Sequence, residues 1–218
     1  MDKMATNRTA AENPTNDIDT RLDTRLDTRL CGPGRHGAMS WIDIPMIGRH
    51  WIRDMRDRDA AERLASFITE HGPAAFGRDP AIGHVTGSAF ILSPDRSQTL
   101  LLLHAKLGRW FQPGGHCDGE TDVHATAWRE AVEETGLPDT SVTPIDRQIF
   151  DIDIHEIPAR ASEPAHLHYD VRFLFEADPS LPVPGNAEST GRRWVALSDL
   201  ERYSQHYSVL VVRQAALE

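Results

Sequence analysis

The spacing of apolar residues changes partway along this chain, and the change divides it into segments. Ala60, Ala61, Leu64, Ala65, Phe67 and Ile68 recur at helical spacing. Upstream, Trp41, Ile42, Ile44, Met46 and Ile47 form an apolar entry. Together these positions predict a helical segment over 41–76, with Pro45 limiting its first turn and His71-Gly72-Pro73 closing it. From Gly83 the period shortens. Residues 83–92 and the run Thr99–His104 read as strands joined by a Ser93–Ser97 turn, and Leu107–Phe111 leads to Pro113-Gly114-Gly115, read as a glycine turn. A helix ending in Arg129–Leu137 follows. Strands are then predicted over Gln148–Ile157, His166–Phe175 and Arg192–Leu197. Ser198 is placed to N-cap a short helix over 199–203, and an amphipathic helix is expected from Tyr207 to Leu217. Strands and helices interleaved in this way predict an α+β fold, a mixed sheet with helices on its faces.

Residues 1–38 lack such patterning. They are polar, and DTRL occurs three times over 19–30, so a low-complexity, disordered tail is expected, closed by the helix-breaking Cys31-Gly32-Pro33-Gly34. Met39 follows and opens the patterned part, so translation is expected to start there. The resulting organisation is a tail over 1–38, a helical N-terminal segment over 39–82 and a main domain over 83–218. The 218 residues carry a formal net charge of −10, which opposes binding to nucleic acid or to an anionic membrane. No apolar run approaches 18 residues, and the N-terminus lacks the apolar core of a secretory signal. Two cysteines, Cys31 and Cys117, give no disulfide framework, and a cytoplasmic location is expected.

Charge within one helix carries the chemistry. Glu130, Glu133 and Glu134 have the spacing i, i+3, i+4, which stacks three carboxylates on one helical face. Like charges so placed repel, and a hard divalent cation with oxygen ligands would relieve them. The segment Gly115–Leu137 resembles the Nudix box of the Nudix hydrolases: a Gly, five residues, a Glu, seven residues, then Arg-Glu-apolar-any-Glu-Glu-any-Gly-apolar. Arg129, Glu130, Ala131, Val132, Glu133, Glu134, Gly136 and Leu137 fill the second half, and the interval from Gly115 to Arg129 matches. The slot of the first Glu holds Thr121, flanked by Glu120 and Asp122.

The resemblance covers 83–218 and implies a Nudix-like α/β/α sandwich. It implies a Mg²⁺-dependent hydrolase, with Mn²⁺ as substitute, that cleaves a diphosphate bond in a nucleoside diphosphate linked to another group. It further implies that Glu130, Glu133 and Glu134 hold the metal together with a backbone carbonyl at Gly114 or Gly115. Arg129 would orient a carboxylate, and Glu120 or Asp122 would replace the missing Glu as its partner. Glu133 is the first choice and Glu120 the second for the group that takes the proton from water. Thr121 leaves open a catalytically inactive nucleotide-binding or regulatory module of the same fold. Many relatives are dimers, and a homodimer is expected by that analogy.

Other candidates lie outside the helix. Lys106 and Arg109 precede the glycines and could meet phosphate. His116 and His124 could flank the diphosphate, or be a plain loop residue and an exposed helix residue. On the last two central strands, His166, His168, Asp170 and Arg172 alternate with apolar residues, and Asp151, Asp153 and His155 share a face. Paired as a hairpin, these groups would gather as a second metal site or a substrate contact, or lie on a solvent-facing sheet surface. Cys117 reads as packing and not as a nucleophile. Trp110 and Phe111 read as core. Specificity is expected in the loops 76–83, 158–165 and 178–191.

Overall fold

In the computed structural model, Trp41–Ile44 (β1) and Gly48–Trp51 (β2) form an antiparallel hairpin where a helix was expected. Ile42 and Ile44 alternate along a strand. Pro45, Met46 at φ +64° and Gly48 at φ +133° make the turn, a backbone path no helix allows. The rings of Trp41 and Trp51 meet edge to face at 4.9 Å. The structure describes residues 41–78, 83–160 and 164–216, all within one unit. The expectations for the tail 1–38 and for Met39 lie outside these residues, as do parts of the loops 76–83 and 158–165.

The helical half of the N-terminal segment forms as predicted. Met55–His71 (α1) is capped by Asp54, whose carboxylate accepts the Asp57 N–H at 2.9 Å. Gly72 at φ +55° and Pro73 end it, and a 3₁₀ turn runs on to Phe76. Ala60, Ala61, Leu64, Phe67 and Ile68 are its buried stripe.

The remaining elements follow in order: Gly83–Leu92 (β3), Gln98–His104 (β4), Trp110–Phe111 (β5), Gly114–His116 (β6), Val123–Thr135 (α2), Thr143–Pro144 (β7), Asp151–Ile157 (β8), His166–Glu176 (β9), Ser189–Ala196 (β10) and Tyr207–Leu210 (α3). The eight strands from β3 to β10 make one mixed sheet. Its path runs β10-β4-β3-β9-β7, with β5 on β4, β6 on β3 and β8 on β9. β3 and β9 are parallel and every other pair is antiparallel. β3 meets β4 only at Leu92↔Thr99, so its earlier half is left to β6.

The two sheet faces differ. Val85, Ala89 and Ile91 of β3 and Val171, Phe173 and Phe175 of β9 pack with α1 and α2 in one apolar cluster. On the opposite face Phe90, Leu92, Leu101 and Leu174 meet Leu197, Leu200, Val209 and Val212 of the C-terminal segment. Helical layers on both sides give the expected sandwich around a mixed sheet. Two terminal details differ from expectation. Residues 197–202 are 3₁₀, with Ala196 rather than Ser198 at the N-cap and no side-chain cap. The last segment is α-helical only over α3 and continues as 3₁₀ through Ala216. No helix among the described residues is long and apolar enough to cross a membrane.

Candidate functional site

The site is built where α2 crosses the β3–β6 pair. Asp122 caps α2 by accepting the Ala125 N–H at 3.0 Å, and Gly136, left-handed at φ +66°, ends it. The helix lies hard against the sheet. A side chain at Gly87 of β3 would come within 2.8 Å of the Val123 carbonyl oxygen. The same holds one strand over. Gly114 and Gly115 were expected as a turn, but both pair with β3 as strand residues, Gly114 opposite Ser88 and Gly115 opposite Gly87. They are glycines for closeness: a Cβ on Gly115 would collide with the Glu130 carboxylate, and one on Gly114 with the Ser88 hydroxyl.

Glu130 is therefore pressed onto the backbone of Gly115, with its side chain 14% exposed. Glu134 is also largely buried and accepts the N–H of Gly114. Arg129 pairs with Glu130 at 2.8 Å and with Glu133 at 3.5 Å, and donates to the His116 carbonyl oxygen at 3.0 Å. Burial, and then the charges of Glu130, Glu188 and Glu133, push the Glu134 carboxyl up to about 8 against the pull of the Gly114 N–H. Burial raises Glu130 as well, opposed by Arg129. One guanidinium thus faces a group of carboxylates whose charge it does not cancel. That imbalance is what a divalent cation corrects, and glycine backbone beside the carboxylates leaves room for an ion to reach a carbonyl. Oxygen donors of this kind fit Mg²⁺ or Mn²⁺.

The other predicted residues divide. Both neighbours of Thr121 are engaged away from Arg129: the Glu120 carboxylate accepts the Asp122 N–H at 2.8 Å, and Asp122 is occupied by the helix cap and by Arg147 at 2.7 Å. Arg129 instead turns to the helix carboxylates and to the β6 backbone. Lys106 is exposed, and so is Arg109, whose Nη1 lies 3.3 Å from His206 Nε2. His124 is not an exposed helix residue. It is buried between Phe173 and Phe175, and burial lowers its pKa. Cys117 is buried, and burial pushes its thiol up to about 12, which suits packing and not attack. Trp110 and Phe111 pack against the second apolar cluster, Trp110 edge to face with Tyr203.

The predicted hairpin of polar strands forms, with Asp151↔Arg172, Asp153↔Asp170 and His155↔His168 opposed. Its inner rows are not solvent-facing. Arg172 is 1% exposed and holds three carboxylates: Asp170 at 2.8 Å, Asp151 at 2.7 Å and Asp153 at 2.9 Å. Thr86 and Ser88 donate to Asp170 at 3.0 and 2.8 Å. Arg53, just before α1, reaches Asp151 at 3.0 Å, and Arg56, in its first turn, reaches Asp153 at 2.8 Å. Burial opposes the charge of Arg172, but Asp170, Asp151 and Asp153 outweigh it and raise its pKa. His168 lies at one end of this face among four other imidazoles. Burial first, and then those neighbours, press it down to about 2, so its ring is neutral.

Two residues escape a reading of the sequence. Glu188 adds its charge to Glu130 and Glu134 from the loop before β10, far from the helix in the chain. His84 sits opposite His168 on β3, and only the parallel β3–β9 register brings them together. The alternation His84, Thr86, Ser88 was the one available signal.

A family model described as the NUDIX domain matches residues 84–213, more than half of the chain. Similar solved structures include an Ap4A hydrolase from C. elegans in a binary complex, with a TM-score of 0.50, 18% identity and 61% of this chain and 95% of that chain covered. A NUDIX family hydrolase from Clostridium perfringens has a TM-score of 0.45 and 28% identity, with 62% and 95% covered. RenU, a Nudix hydrolase from M. smegmatis, has a TM-score of 0.46 and 21% identity, with 61% and 83% covered. At its identity the C. elegans structure shares the fold alone. No curated protein matches the chain.

Proposed function

The chain belongs to the Nudix family of diphosphate hydrolases, and from that premise we propose that it is a Mg²⁺-dependent enzyme cleaving the diphosphate bond of a nucleoside diphosphate linked to another group. The observation that carries this reading is the convergence of Glu130, Glu133 and Glu134 beside Gly114 and Gly115, with the Glu130 carboxylate against the Gly115 backbone and Glu134 on the Gly114 N–H. Glu130 and Glu134, inward and poorly neutralised, would hold the metal with Glu133 and a carbonyl at Gly114 or Gly115. When bound, a divalent ion supplies charge neutralisation at the diphosphate oxygens and lowers the pKa of a coordinated water. Arg129 fixes Glu130 through its 2.8 Å ion pair and ties the helix to β6 through the His116 carbonyl. Glu133, half exposed and only loosely paired, is the group we assign to take the proton from water, since the Glu120 carboxylate is engaged at Asp122. Lys106 and Arg109, exposed in the chain ahead of β6, are the proposed contacts to the substrate.

A substrate panel tests this: nucleoside triphosphates, dinucleoside polyphosphates and nucleotide sugars, each with Mg²⁺ or Mn²⁺. Metal-dependent cleavage of at least one class is expected. Nucleotide binding with no cleavage of any member would instead assign a binding module, the reading that Thr121 in the first Glu slot favours.

A further inference from the structure

Five imidazoles crowd one end of the polar sheet face. His84, His168 and His155 form one row across β3, β9 and β8, because His84 pairs with His168 and His155 with His168. His116 joins from β6, opposite Thr86 and so diagonal to His84. His166, two residues before His168 on β9, shares that face. Ring centroids lie 4.8 Å apart for His84–His168, 4.9 Å for His84–His116 and 5.1 Å for His116–His168. One ring nitrogen from each of these three comes within 4.8 Å of the others. We infer that His84, His116 and His168 form a nitrogen-donor site for a divalent transition-metal ion of the zinc class, distinct from the carboxylate site on α2.

Three strands of one sheet hold the three ligands, so the site is set by backbone register and not by loop conformation. Tetrahedral coordination at Zn–N bonds of about 2.0–2.1 Å places ligand nitrogens about 3.4 Å apart. Side-chain rotation at His116 and His168, both only partly buried, closes the remaining distance without moving a strand. Three histidines leave a fourth position open to water, to a substrate group or to a neighbouring ring. The neighbours are held in place: His166 Nδ1 lies 2.9 Å from the Pro164 carbonyl oxygen, and His155 Nδ1 lies 3.3 Å from Asp153. His116 and Gly115 are consecutive on β6 and point to opposite sheet faces, so the nitrogen site and the carboxylate site back onto each other across one strand. Ligand hardness sorts the ions, with imidazole taking the zinc class and carboxylate and carbonyl oxygens taking Mg²⁺.

The test is calorimetric titration of the metal-free, untagged full-length protein with Zn²⁺ in excess Mg²⁺. It compares wild type, His116→Gln, His168→Gln and the double variant Glu130→Gln/Glu134→Gln, each checked for folding by circular dichroism. One equivalent of Zn²⁺ is expected in wild type and in the double glutamine variant, with affinity reduced at least tenfold in each histidine variant. Absence of Zn²⁺ binding, unchanged binding in both histidine variants, or loss confined to the glutamate variant would overturn the inference. Should a histidine variant fail to fold, Co²⁺ absorption in the wild type decides. Intense visible bands of a four-coordinate nitrogen site support the assignment, and only the weak bands of six oxygen ligands contradict it.

Discussion

Glu134 accepts a backbone N–H while facing Glu130, Glu133 and Glu188, and its carboxyl is pushed up to about 8. Because this folded value lies above the ordinary carboxylate value, the fold favours the neutral form. The contribution to stability is complete below about pH 4.5 and is lost as pH rises through about 8. Without metal, the melting temperature is therefore expected to fall between pH 5 and pH 8.5. Mg²⁺ should restore most of that loss, and Glu134→Gln should flatten the profile. A thermal melt series with and without Mg²⁺ checks it, and a flat wild-type profile would contradict it. At Gly115 the constraint is steric. Gly115→Ala drives a methyl group into the Glu130 carboxylate, so metal-dependent turnover should fall by more than the roughly 100-fold that loss of a supporting partner costs at a metal site. Steady-state kinetics read this, and near wild-type turnover would show that the close approach is dispensable.

At the scale of elements, α2 was legible because its signals are local. Its carboxylate spacing, its C-terminal Gly136 and its adjoining glycines all lie within one stretch of chain. Asp122 carried a second local meaning, since an Asp directly before the first residue of an amphipathic run is an N-cap; the structure places it there and leaves it unavailable to Arg129. Asp122→Ala should cost about 1 kcal/mol of stability, seen as a lower urea midpoint with an unchanged slope. The hairpin 41–51 was misread because its apolar residues crowd too closely to choose between periods, and the decisive φ values at Met46 and Gly48 are set by the turn. The glycines of β6 were taken as a turn for a related reason. Glycine permits both a turn and close strand packing, and only the helix lying over them shows which applies.

Across the whole molecule, the sheet gathers charge that is scattered in the chain. Arg53 just before α1 and Arg56 in its first turn, Asp151 and Asp153 of β8, and Asp170 and Arg172 of β9 form one network. No spacing rule could assemble it, because parallel pairing of β3 with β9 and the return of α1 over β8 are both long-range. Removing one member strands buried charge: Arg172→Met should destabilise the protein by about 3–5 kcal/mol, measurable by chemical denaturation. The same network sets acid sensitivity. Burial opposes ionisation of Asp57 and Asp153, but His50 and Arg53 for the first, and His155 and Arg172 for the second, hold both well below the usual carboxylate range. Their stabilisation is present above about pH 4 and is lost as pH falls below it. Acid unfolding should therefore begin below that pH, and full stability at pH 2 would count against the network. The central claim rests on α2 and is tested most directly by hydrolysis of a nucleoside diphosphate derivative as a function of Mg²⁺, in wild type and in folded Glu134→Gln. Turnover that requires Mg²⁺ and disappears in the variant is the predicted result; equal turnover in both, or turnover indifferent to metal, would contradict it.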